Sequence, residues 1–233
     1  MSRRMFGIAV CLGAAMILMG LMGCGKQSAP NEARVEKPIP MATPQAEKTP
    51  EPLPKLPPPT MAEVESAMHR VFGDDLVLEH GPGRWFMVGD FNGDSFEDVA
   101  VIASPAQGKL NDINSELANW TIQDADKFFV PPQGKRVVKA PNFSPAKVSE
   151  GEQILAIIHG YGPKGWRSSD ARQAYLVKHA SATFLGTAPS VKQKAIRAMH
   201  LPVQTEIIQG LRQNKKGFLF WTGGAYAWHP GEK

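Results

Sequence analysis

The chain has 233 residues, a formal charge of +4 from 26 basic and 22 acidic side chains, 42% hydrophobic residues and two cysteines. A balance this near to neutral gives no electrostatic footprint for nucleic acid, and two cysteines provide neither a disulfide framework nor a cysteine metal cluster. The length suits one folded domain of about 100–200 residues with extensions.

Arg3 and Arg4 precede an uncharged apolar run from Met5 to Met22, and small residues lead into Cys24. This pattern predicts a secretory signal over residues 1–23, which takes no part in the fold. An uncleaved transmembrane anchor is the alternative, because the run is near the lower end of spanning length. Cys11 leaves with the signal, so the mature chain keeps Cys24 alone and cannot form an internal disulfide. The run Leu21-Met22-Gly23-Cys24 resembles the bacterial lipobox. That resemblance implies cleavage before Cys24, a diacylglycerol on its thiol and further acyl chains such as palmitate, enough for stable anchoring. Gly25 stands where a retention aspartate would be, which by the same resemblance implies the outer membrane of a two-membrane cell envelope.

Between Gly25 and Pro59 the prolines at 38, 40, 44, 50, 52, 54 and 57 to 59 alternate with Glu, Lys, Ala and Thr, without apolar periodicity. Residues 24–59 are therefore predicted to be the lipidated cysteine and a disordered Pro-rich linker. At up to ~3.1 Å per residue such a spacer holds a domain clear of the bilayer.

The folded domain is predicted over residues 60–233. Thr60 and Glu63 form a capping-box pattern, Val64, Met68, Val71 and Phe72 share one helical face, and Gly73 stands at the stop. Leu76 to Leu78, Arg84 to Val88 and Val99 to Ala103 read as strands, the last without alternation and so covered on both faces.

The stretch Gly89-Asp90-Phe91-Asn92-Gly93-Asp94-Ser95-Phe96-Glu97-Asp98 lies between two of these strands. Asp90, Asn92, Asp94 and Asp98, with a main-chain carbonyl near Phe96, place oxygens at positions 1, 3, 5, 7 and 9, as a hard cation such as Ca²⁺ requires. Phe91 and Phe96 turn inward. An EF-hand is excluded, since its positions 6 and 12 require Gly and Glu and here hold Ser95 and Val101. A hydrated Asn-Gly-Asp turn is the alternative. The sequence GDFNGDSFEDV resembles the calcium-binding hairpin of the FG-GAP and VCBS repeat families, usually GDFNGDGxxDL. The resemblance implies calcium at Asp90, Asn92, Asp94, the Phe96 carbonyl and Asp98, with Ser95 straining a position where glycine is common.

Lys109 to Phe129 is predicted to contain a helix, with Ile113, Leu117 and Trp120 on one face, ended by Pro131-Pro132. Lys135 to Ala140 and Gln153 to His159 read as strands, the second central. The Gly-rich run from His159 to Trp166 is not a P-loop, because Trp166 follows Gly165. It lies against the calcium hairpin or lines a shallow binding surface of His159, Tyr161, Lys164 and Trp166. A hydrolase built on the His159 to Asp170 loop is an alternative, without a nucleophile elbow to support it. Ala174 to Val177 favours a strand, Ser190 to Met199 a short helix with Lys192, Lys194 and Arg197 solvated, and Gly217 to His229 an aromatic hairpin turning at Gly223-Gly224.

One copy of the loop excludes a multi-bladed propeller. The expected fold is α+β, an antiparallel sheet with two or three covering helices in a single compact domain. The expected function is a calcium-stabilised, non-enzymatic module that binds an envelope protein or polysaccharide and reaches the membrane through its lipid anchor.

Overall fold

Thr60 starts the first helix as its sequence predicts. The Glu63 amide donates to Thr60 Oγ1, the Thr60 amide donates to Glu63 Oε2 at 2.8 Å, and Gly73, at φ 57°, ends helix α1 (Met61–Phe72). The computed structural model describes residues 56–81, 83–128, 144–180, 183–199 and 204–231. The predicted strand at 135–140, the signal, Cys24 and nearly all of the linker lie outside the described residues.

Two sheets follow. The first contains β1 (Leu76–Leu78), β2 (Phe86–Gly89), β3 (Asp98–Pro105), β4 (Thr121–Asp124), β5 (Ile154–Ile158) and β6 (Ala174–Lys178) in the order β1-β3-β5-β6-β4. β5 takes one edge of β3. β1 and β2 therefore share the other edge end to end, β2 opposite Asp98 to Val101 and β1 opposite Ala103 to Pro105. β4 runs parallel to β6, and the remaining pairs are antiparallel. The second sheet is an antiparallel meander, β7 (Thr183–Pro189), β8 (Glu206–Arg212), β9 (Lys215–Trp221) and β10 (Tyr226–Pro230).

Alternation along the strands divides the side chains between layers. Val99, Val101, Ile154, Ala156, Ile158 and Leu176 turn to α1, meeting Val64, Met68 and Phe72. Ala100, Ile102, Leu155, Ile157, Tyr175 and Val177 turn the other way, onto Phe184, Ile208, Leu219, Trp221, Tyr226 and Trp228 of the second sheet. The outer face of the second sheet presents Ile207, Phe218, Phe220 and Ala227 to Ile196 of the six-residue helix α3 (Lys194–Met199) and to Phe128. β5 is central and buried along its whole length, as expected from its sequence.

The α+β expectation is overturned: ten strands in two packed sheets make this a β-rich fold, and α1 is the one helix longer than two turns among the described residues. The predicted helix in 109–129 reduces to one turn, α2 (Leu110–Ile113). Leu117, counted as part of its apolar face, is 92% exposed. Ser115 starts a turn with its hydroxyl on the Leu117 amide, and Thr121 to Asp124 gain ladder bonds by pairing with β6. Trp120 still packs inward against Phe72, with ring centroids 5.4 Å apart, and donates from Nε1 to the Ile113 carbonyl. β7 and β8, which the sequence did not signal, supply half of the second sheet. No helix among the described residues is long and apolar enough to cross a membrane.

Candidate functional site

β2 ends at Gly89 and β3 restarts opposite it at Asp98, so residues 90–97 form the connection of a hairpin. The loop is organised by its own carboxylates. Asp90 Oδ1 accepts from the amides of Gly93 at 2.7 Å and Asp94 at 3.1 Å, and Oδ2 accepts from Ser95 at 2.9 Å. Asn92 Nδ2 donates to Asp94 Oδ2 at 2.8 Å, and Asp94 Oδ1 accepts from the Phe96 amide. Asp98 is fully buried; its Oδ2 accepts from the amides of Phe91 and Asn92, its Oδ1 from that of Gly160 at 2.7 Å. Phe91 is sunk in the core between the sheets, while Phe96 is only half-buried. Gly93 at φ 83° and Ser95 at φ 71° both occupy the left-handed region, so the serine does stand where glycine is the unstrained residue.

The Gly-rich run lies against this loop, one of the two placements expected for it. The Trp166 amide donates to the Glu97 carbonyl at 2.7 Å, and Trp166 Nε1 donates to Glu97 Oε1 at 2.9 Å. A Cβ on Gly165 would stand 2.5 Å from the same carbonyl oxygen, and one on Gly160 would also clash with it. Arg167 stacks over Trp166 at 4.2 Å and donates to Glu97, Glu63 and the Pro57 carbonyl. From the second sheet, Glu206 accepts from the Asp90 amide and donates its own amide to the Asp90 carbonyl at 2.7 Å.

Burial pushes the Asp98 carboxyl up to about 8, with the charges of Asp94 and Asp90 adding to the effect and the amides of Gly160 and Phe91 opposing it. Asp90 is raised by the same cause, against the amides of Gly93 and Ser95. A cation at the loop would reverse both directions. The donor types fit such an ion, since all are oxygens. Their positions fit only in part: the carboxylates of Asp90, Asp94 and Asp98 do not come within 4.8 Å of one another as a set, and each is engaged by backbone amides.

Among the described residues one group does meet that distance, Asp124, Asp126 and His179. It did not stand out in the sequence, where its only local mark is the spacing of Asp124 and Asp126. His179 Nδ1 bonds Asp124 at 2.6 Å, Lys127 faces Asp124, and Arg212 grips Asp126 through both guanidinium nitrogens. Three cationic or donor groups already serve these two carboxylates, which makes the group an ion-pair network.

The four residues expected to share a binding surface are divided. Tyr161 and Lys164 are exposed, whereas Trp166 is fully buried and His159 is 1% exposed. His159 Nε2 bonds the Tyr226 hydroxyl at 2.7 Å among the rings of Tyr175, Trp221 and Tyr226, and burial pushes its imidazole down to about 4. Asp170, its expected catalytic partner, is exposed. The two are not brought together.

Residues 82–111 match the FG-GAP repeat, a span that takes in β2, the acidic loop and β3. No curated protein and no solved structure matches the chain. An FG-GAP repeat is therefore present, carried on one hairpin of a two-sheet β fold.

Proposed function

We propose that residues 60–233 form a non-enzymatic binding module, stabilised by calcium at the loop 90–98 and held at the outer membrane of a cell envelope by a lipid on Cys24 and the Pro-rich spacer. The observation that carries this reading is the FG-GAP repeat at 82–111, because repeats of this kind sit in non-catalytic binding domains and often bind calcium. Asp90, Asn92, Asp94, the Phe96 carbonyl and Asp98 would hold the ion. It would supply the positive charge that the buried Asp98 and its acidic neighbours lack. The exposed Asp94 is the donor with room to turn toward it.

A protein or polysaccharide is the partner this reading implies. The hydrolase alternative has little support, with His159 enclosed by aromatic rings and Asp170 in solvent.

Calorimetric titration of calcium into the protein and its Asp94→Ala variant tests the ion. Heat of binding in the wild type, lost in the variant, with a melting temperature that rises with calcium, is the expected result. Absence of both heat and shift would reduce the loop to a turn held by its own amides. Mass spectrometry of the mature N-terminus would detect acylation of Cys24, and an unmodified or uncleaved residue would sink the anchor.

A further inference from the structure

The outer face of the second sheet carries a feature that the FG-GAP loop does not explain. Alternation along β9 and β10 points Phe218 and His229 away from the sheet interface, where their rings stack 5.0 Å apart with planes 15° from parallel. Beside this pair opens a cleft of about 420 Å³, bounded by β7, β8 and the residues leading into α3. Small-molecule sites begin at roughly 300 Å³.

Its lining is one-sided in chemistry. Lys192, Lys194 and Lys216 surround the cleft, Gln193 and Gln209 add carboxamides, and no acidic residue takes part. All three lysines are exposed, and none forms an ion pair among the described residues. Three lysines elsewhere on the domain are paired, Lys109 with Asp75 and Asp112, Lys127 with Asp124 and Lys178 with Glu152, and what sets the cleft apart is that three unpaired lysines converge on it. His229 Nδ1 is buried at the cleft without a hydrogen-bond partner among the described residues.

A second, independent feature shapes the same place. The pairing of β7 with β8 shifts register between Phe184 and Gly186, so Leu185 is the extra residue of a β-bulge. The bulge turns Leu185 outward, 49% exposed, into the wall of the cleft. Bulges re-aim side chains beside binding sites, and here one adds Leu185 to Phe218 and Ala195 as the apolar part of a pocket whose polar part is basic and amide.

We propose that this cleft binds an anionic oligosaccharide, its carboxylates or other acidic groups on the three lysines and an apolar sugar face against Leu185. The carboxamides of Gln193 and Gln209 can meet the hydroxyl groups of any sugar, while three lysine charges without a lining carboxylate favour an acidic one. The concave shape disfavours a flat membrane surface. This names a ligand class for the binding module proposed above, and it stands on a face of the fold apart from the calcium loop.

The test measures binding of a tetragalacturonate, its neutral methyl ester, inorganic phosphate and anionic phospholipid vesicles to the purified full chain. Wild type, the triple variant Lys192→Gln/Lys194→Gln/Lys216→Gln and the control Lys164→Gln are compared, with Asp94→Ala alongside. The proposal expects the tetragalacturonate to bind more tightly than its ester. It also expects affinity to fall with added salt, and to drop about tenfold or more in the triple variant but not in either single variant. Leu185→Glu, which adds a repelling carboxylate, should weaken binding as well. Equal binding of acid and ester, an unaffected triple variant, phosphate binding as tightly as the oligosaccharide, or binding to vesicles alone would each overturn it. Loss of calcium binding in Asp94→Ala with tetragalacturonate binding retained would separate the two sites.

Discussion

Asp98 and Gly160, 62 residues apart in the chain, are joined by a 2.7 Å hydrogen bond from the Gly160 amide to Asp98 Oδ1. The acid that closes the FG-GAP loop is thus also the acceptor that holds the Gly-rich run. Both segments depend on a backbone approach that only glycine allows.

Gly160→Ala should therefore destabilise the protein, by roughly 1–3 kcal/mol, because the new methyl group meets the Glu97 carbonyl and not a yielding side chain. Gly81→Ala, at a position with nothing within 4 Å, is the matched control and should change stability by less than about 0.5 kcal/mol. Urea denaturation of the two variants decides the point. Equal costs would mean that the two segments are not in tight contact.

Ser95→Gly should stabilise the loop. At φ 71° the serine bears a left-handed conformation that glycine adopts freely, a strain of about 1 kcal/mol after the glycine entropy is set against it. A higher melting temperature is the expected outcome, and Ser95→Val should lower it. A destabilised glycine variant would show that the left-handed conformation is not a burden.

Arg167 reaches Glu63, Glu97 and the Pro57 carbonyl while stacking on Trp166. Lysine has one charged tip in place of a planar fork, so Arg167→Lys keeps the charge but loses most of these contacts. The expected cost is about 1–2 kcal/mol, with faster hydrogen exchange at the Trp166 amide. A lysine variant as stable as wild type would show that charge alone is what matters there.

The pH dependence of stability should contain a histidine term. Burial holds His159 at about 4 against an ordinary 6.5, so between those values the unfolded chain takes up a proton that the fold refuses. Its contribution is whole above 6.5, falls as pH drops toward 4 and is level below, by up to about 3 kcal/mol. Asp98 acts in the opposite sense: raised from 3.8 to about 8, it contributes stability that is whole below 3.8, is lost progressively as pH rises between those values and is gone above about 8, unless calcium is bound. Comparing wild type with His159→Gln at about pH 7 and about pH 4.5 isolates the histidine. The wild type should lose more stability between the two conditions; equal losses would contradict the burial argument.

The elements that the sequence revealed were those whose local chemistry and tertiary role agree. Thr60 and Glu63 cap α1 with the bonds their spacing suggests, the apolar runs of β3 and β5 lie covered on both faces, and Gly223-Gly224 turns the terminal hairpin. The helix expected around Leu117 failed because β6 offered Thr121 to Asp124 a partner that no local pattern announces. β7 and β8 stayed hidden because Gly186, Pro189 and Gly210 interrupt their alternation. At the site, the acidic loop was legible from spacing, and the strain at Ser95 from the glycine that the resembling repeats carry there. The burial of His159 was not, since it depends on Trp221 and Tyr226 far along the chain, nor was that of Trp166, which joins the core cluster of α1 and β3.

The clamp on Asp90 also sets an order of events. Glu206, which grips Asp90 on both its amide and its carbonyl, lies 116 residues downstream. Contacts of such long sequence separation form slowly, and a chain synthesised from its N-terminus completes them last. The acidic loop therefore emerges early but stays open until β8 has joined its sheet. Pulse-labelled hydrogen exchange during refolding should find the amides of Asp90 and Glu206 gaining protection together, after those of β3 and β5. Early protection at Asp90 would show that the hairpin closes without the second sheet.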